Sequence, residues 1–265
     1  MSNVNLSKRQ SLDLNLKSFK KMKSLFLMAL FFSCLFSNQI PKIYAAPQVY
    51  SPIVEQGEFE VEYAGEYDFD RDEENDGKQK HTWSMGYGLT SRWFSEIGLE
   101  AEAENDDSEF KLESLVSENI FQLFEQGKYW IDAGIYAEFE FPLHDKGAFK
   151  QEYKLLLEKT TQNFTYRANI FIEQKFGSHA NHNLEGGINA LSKYHLSENF
   201  EPGFEYHSNY GKFNEGLAFN DQSHLIGPVI YGKVFKRFKY EVGYLFGVTE
   251  GARDGILKWI IEIEI

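Results

Sequence analysis

From residue 57 to the C-terminus, apolar side chains recur at every second position, in segments whose phase changes only at the turns between them. In 57–69 the odd positions are Phe59, Val61, Tyr63, Gly65, Tyr67 and Phe69, while the even ones include Glu58, Glu60, Glu62, Glu66 and Asp68. A period of two belongs to a β-strand with two unlike faces. The apolar phase is odd in 81–89, 93–103, 129–141, 149–157 and 257–265, and even in 164–176, 184–194, 200–210 and 238–248. Across these ten segments the apolar face has 59 positions, and none is Asp, Glu, Lys or Arg, in a chain that is 25% charged. Such a face suits surroundings that tolerate no charge at all.

Two further segments complete the set. In 109–123 the apolar phase switches between Leu112 and Leu115, which predicts a bulge near Ser114. In 224–235 the pair Gly227-Pro228 removes a ladder donor or marks a bulge. The prediction is therefore twelve strands. Short connections (90–92, 124–128, 160–163, 196–199, 236–237) alternate with longer ones rich in charge, Gly or Asn (70–79, 105–108, 142–147, 177–182, 211–222, 249–255). An even strand number with turns alternating in this way predicts an all-β, transmembrane, antiparallel up-and-down barrel over 57–265. A soluble barrel with the apolar face inward would show the same alternation, but twelve strands enclose more space than side chains fill. Aromatic residues also cluster at the ends of the apolar faces, as in the girdles of membrane barrels.

The N-terminus reads as an address. Lys20, Lys21 and Lys23 precede the apolar run 24–36, and the small pair Ala45-Ala46 follows, the three parts of a secretory signal peptide. Residues 1–45 are expected to be an N-terminal extension and cleaved leader, and 46–56 a periplasmic lead-in to the barrel. Removal of 1–45 leaves 20 basic and 39 acidic residues and no cysteine, which suits an oxidising compartment. The acidic balance offers no basic patch for nucleic acid, and 24 Phe with 15 Tyr argue against disorder.

Through Tyr87-Gly-Leu-Thr-Ser-Arg-Trp93, Tyr129-Trp-Ile-Asp-Ala-Gly134 with Glu138, and Ile226-Gly-Pro-Val229, the chain resembles a family of proteobacterial outer-membrane barrels of no assigned activity. The resemblance implies the fold and the location, with no substrate. The expected partners are outer-membrane lipid and lipopolysaccharide, and the barrel assembly machinery, which would read the last strand, 259–265.

The polar face should line the lumen. It carries an acidic wall of Glu58, Glu60, Glu62, Glu96, Glu100, Glu102, Asp132, Glu138 and Glu140, and bases at Lys150, Lys154, Arg167 and Lys175. In a water-filled lumen such carboxylates concentrate cations, making a narrow porin-like channel for small cationic or neutral solutes. If the acids pair with bases across the barrel, the same residues close it, leaving a structural or surface-interacting protein. Gly86, Gly88 and Gly98 leave local space that favours a passage. No enzyme, cofactor or metal is expected. His207 and Ser208 are adjacent and so point to opposite faces of a strand, which defeats a hydrolytic pair. In 68–77 oxygen ligands are dense, yet Trp83 stands where a calcium loop needs its bidentate Glu. His179 and His182 have no third ligand in view.

Overall fold

The computed structural model describes residues 47–265 apart from 145–146, 178–179 and 181; the expected leader and His179 lie outside the described residues. The alternating segments form twelve strands: β1 (Phe59–Phe69), β2 (Gln79–Thr90), β3 (Trp93–Ala103), β4 (Lys111–Gln122), β5 (Asp132–Pro142), β6 (Phe149–Thr160), β7 (Phe164–Phe176), β8 (Leu184–Tyr194), β9 (Glu201–Asn209), β10 (Ser223–Val234), β11 (Phe238–Gly247) and β12 (Gly255–Glu264). Each pairs antiparallel with its neighbours in sequence, and β1 pairs with β12 to close the barrel, with Glu60 opposite Glu264 and Phe69 opposite Gly255.

The local irregularities fall where the chemistry demands them. Glu100 faces Ser114 but Ala101 faces Leu112, so Glu113 is the extra residue of a bulge beside the expected Ser114. Pro228 pairs with Phe204 on β9, while the ladder to β11 has a gap at Gly227 and Pro228, where a proline can donate nothing. Phe235 and Lys236 both take positive φ, 52° and 61°, in the tight turn between β10 and β11, a type I′ geometry that usually calls for Asn-Gly.

One strand is shorter than its periodicity implies. Tyr129 and Trp130 belong to the turn, and β5 starts only at Asp132. Gly127, at φ 72°, donates its amide to Asp132 Oδ1 at 2.6 Å. Asp132 thus ties down a turn at the rim, at the end of the inward row that continues through Gly134, Tyr136 and Glu138.

The faces separate as the periodicity requires. Trp83, Met85, Ile97, Ile170, Val242 and Ile261 point outward and are exposed, whereas Glu100, Glu138, Lys150, Glu205 and Lys258 point inward and are buried. Outward aromatic pairs gather at both rims. Trp93–Phe121 and Phe164–Tyr194, with centroids 5.6 and 5.1 Å apart, lie at the end holding the start of β1 and the end of β12. Tyr67–Phe69 and Phe141–Phe149, at 4.8 and 5.1 Å, lie at the end with the charged loops. These are the two interfacial girdles that anchor a barrel in a bilayer.

Candidate functional site

The lumen contains backbone as well as side chains. Residues 47–56, expected as a periplasmic lead-in, run inside the barrel instead, and that expectation is corrected: Val49, Pro52 and Val54 are buried. A segment crossing a lumen must satisfy its polar groups without a strand partner, and here wall side chains supply them. Tyr50 donates its N–H to Asn169 Oδ1 at 2.7 Å and accepts from Asn169 Nδ2 at 3.0 Å. Val54 N–H donates to Gln122 Oε1 at 2.9 Å, and Arg167 donates to the Val49 carbonyl at 3.3 Å. Ser51 Oγ donates to Glu158 at 2.8 Å. The Tyr50 ring lies 4.5 Å from that of Tyr136, and the Lys154 ammonium sits 4.4 Å from both centroids, a double cation–π contact.

The inward glycines make room for this strap. A Cβ on Gly88 would fall 1.9 Å from the carbonyl oxygen of Glu55, and one on Gly134 would fall 2.9 Å from Pro52. The space at Gly86 is taken by the Phe94 ring, whose tip lies 2.2 Å from where a Cβ would stand. The gaps expected at Gly86 and Gly88 to favour a passage are therefore filled. Val49 enters an inward apolar cluster of Leu191, Leu225, Val229, Tyr231, Leu245 and Ile256. The polar-in rule hides this cluster, but its signal is present in the sequence: strands such as β12, with Ile256, Leu257, Ile260 and Ile261, are apolar on both faces.

Most wall acids meet a base on the same or a nearby strand. Lys80 binds Glu100 at 2.8 Å and approaches Glu102 at 3.7 Å. Lys150 bridges Glu138 and Glu140 at 2.9 and 2.7 Å, Lys154 holds Glu152 at 2.8 Å, and Arg167 holds Glu158 at 2.6 Å. Lys239 joins Glu60, Glu262 and Glu264 at 3.3, 2.7 and 2.5 Å and reaches Glu58 at 3.9 Å. The carboxylates of Glu58, Glu60 and Glu264 converge closely enough for a metal ion, but that ammonium already sits among them. Lys258 spans from β12 to Glu205 on β9 at 2.7 Å and also pairs with Glu241. Apart from that reach, the ladder hugs the wall and does not cross the centre.

Glu62, Glu96 and Glu118 are different. They occupy inward positions on β1, β3 and β4, and among the described residues no Lys or Arg lies within ion-pair distance of them. Glu96 and Glu118 stand opposite each other in the ladder. Lys175 likewise has no ion pair among the described residues. His207 donates or accepts at Glu205 Oε2, 2.7 Å away, while Ser208 Oγ bonds the backbone of Ile188, so the two form no catalytic pair. In the loop 70–78 the acids serve their own backbone, Asp76 Oδ1 accepting from Asp70 N–H and Asp70 Oδ1 from Asp72 N–H, each near 3.0 Å.

Solved structures of the same shape include an outer-membrane channel from Pseudomonas putida F1, with TM-score 0.61 and 10% identity over 84% of this chain and 100% of that one. The NanC porin superposes with TM-score 0.52 and 11% identity over 77% of this chain and 98% of its own. Together with the largely apolar exterior, the two aromatic girdles and the charged interior, this settles the fold. This is an outer-membrane β-barrel. At such identities the similarity concerns the fold alone. No protein-family model matches the chain, and no curated protein does.

Proposed function

We propose that the barrel is a narrow channel for small polar solutes across the bacterial outer membrane, that it admits cations ahead of anions, and that it is not an enzyme. The observation that carries this reading is the trio Glu62, Glu96 and Glu118, acids left without basic partners in a lumen whose other carboxylates are largely paired. Paired charges cancel locally, so the unpaired ones set the potential along the path, and a low-dielectric wall focuses that potential. The relatives by fold, an outer-membrane channel and a porin, support the coarser half of the statement. Lipopolysaccharide around the girdles and the assembly machinery on β12 are the partners this reading implies, and the proteobacterial barrel family is its proposed kin.

The strap favours a second reading, a barrel held shut. Conductance of the purified chain in planar bilayers, with reversal potential taken in a KCl gradient, tests both. Steady steps with cation selectivity are expected. Silence from protein whose heat-modifiable migration shows it folded would leave the shut barrel standing.

A further inference from the structure

We propose that the lumen holds a binding site for a neutral, polyhydroxylated solute of about monosaccharide size, in the cavity between the start of the strap and the inner faces of β6–β10. As a stop on a passage it rests on the channel reading; as a binding site it does not. The cavity is partly open and offers about 590 Å³ of space free of protein atoms, solvent at its mouth included, bounded by Pro47 and Gln48 of the strap and by wall residues from β6 to β10, with Arg253 at the loop end.

The lining decides the chemistry. Its two cations are already engaged: Lys154 with Glu152 at 2.8 Å, and Arg253 with Glu66 and Asp68 at 3.2 and 2.5 Å. What remains is hydrogen-bonding capacity of both kinds. The Asn209 side chain is buried, its Oδ1 accepts from Gly211 N–H at 2.7 Å, and its Nδ2 has no partner. A buried donor left so is costly unless something meets it. The side chains of Asn189 and Glu173 also line the cavity and make no hydrogen bond to a described residue. Glu205 holds His207 by Nε2, which leaves Nδ1 for the cavity. Phe171 and Leu225 add apolar surface.

Lys154 is offset by Glu152 and Arg253 by Glu66 and Asp68, which leaves the Glu173 carboxylate as the one lining charge without an ion pair among the described residues; it repels an anion and accepts from hydroxyls. Donors and acceptors lie beside an aromatic face, and only a group that both donates and accepts satisfies both kinds. Hydroxyls on a ring with apolar C–H faces do so.

Saturation-transfer NMR on the full chain in lauryldimethylamine oxide, a detergent without a sugar, tests the site independently of conduction. The probes are D-glucose, glycine betaine and putrescine. Saturable binding of glucose above the other two is expected, weakened at least fivefold by Asn209→Leu and by Asn189→Ala. The second variant removes no hydrogen bond to a described residue and so keeps the fold. No saturable glucose binding, a preference for putrescine or betaine, or glucose binding indifferent to Asn189→Ala overturns the site. Glucose binding by a non-conducting barrel would reject the channel and keep the site; conduction without glucose binding would do the reverse.

Discussion

One amide side chain, that of Asn169, satisfies both backbone groups of Tyr50 deep inside the barrel. Replacing it by leucine strands a buried N–H and a buried carbonyl, and unpaired groups of this kind cost about 1–3 kcal/mol each. Asn169→Leu is therefore expected to lower the midpoint of heat-modifiable gel migration by several degrees. It should also raise single-channel conductance, because the strap loses its central tether. At the other extreme of burial, Phe235 and Lys236 hold left-handed backbone without glycine, at roughly 1–2 kcal/mol per residue. Phe235→Asn with Lys236→Gly should stabilise the barrel by about 1 kcal/mol, read from urea-dependent unfolding in lipid vesicles.

Among the elements, the strap is where sequence reasoning stopped short. The strands were legible because lipid and water lie on opposite sides of each one, and that contrast writes a period of two into every segment. The bulge at Glu113 was legible as a phase change, and the gap at Pro228 as a missing donor. Residues 47–56 carry no such period, since a segment surrounded by wall side chains on all sides has no two faces to distinguish. The matching signal was in the wall: Gly88 was read as open space, when it and Gly134 each mark a close approach of the strap. Gly88→Val would put side-chain carbon onto the Glu55 carbonyl, so the variant is expected to expel the strap and expose 47–56 to added protease. The acidic wall was legible as composition, but pairing was not, because a partner depends on register between strands.

The loops carry a pH-dependent tie of their own. Arg71, between β1 and β2, grips Asp254, between β11 and β12, at 2.7 Å through both Nε and the terminal nitrogen, and its N–H donates to the same carboxylate at 3.0 Å. These hydrogen bonds hold Asp254 below its ordinary value of 3.8 and push Arg71 up. A carboxyl depressed in the folded state stabilises above its unfolded value and ceases to do so as pH falls through the folded one. Protection of the Arg71 amide from hydrogen exchange, corrected for intrinsic rate, should thus be constant from neutral pH down to about 4 and decline below it. In Asp254→Asn it should be low throughout.

On the scale of the whole molecule, the barrel separates two jobs usually given to one set of charges. Paired acids and bases line the wall and lock strand to strand, while Glu62, Glu96 and Glu118 stand outside that ladder. Their joint replacement by glutamine is expected to move the reversal potential in a KCl gradient toward zero with little change in the unfolding midpoint. Neutralising Lys150, which bridges Glu138 and Glu140, should do the opposite. It leaves buried carboxylates uncompensated, which costs about 3–5 kcal/mol, and leaves selectivity nearly as it was.

Closure of the barrel also sets an order of events. The β1–β12 seam joins segments with the rest of the barrel between them, so it is the pairing with the greatest loop-closure entropy and the slowest to be rewarded. The strap enters at the same strand, only two residues before β1 begins. Whatever seats β1 against β12 must carry 47–56 into the interior with it, so insertion into the membrane and occupation of the lumen become a single kinetic step. A barrel caught before its seam has zipped would be both leaky and empty.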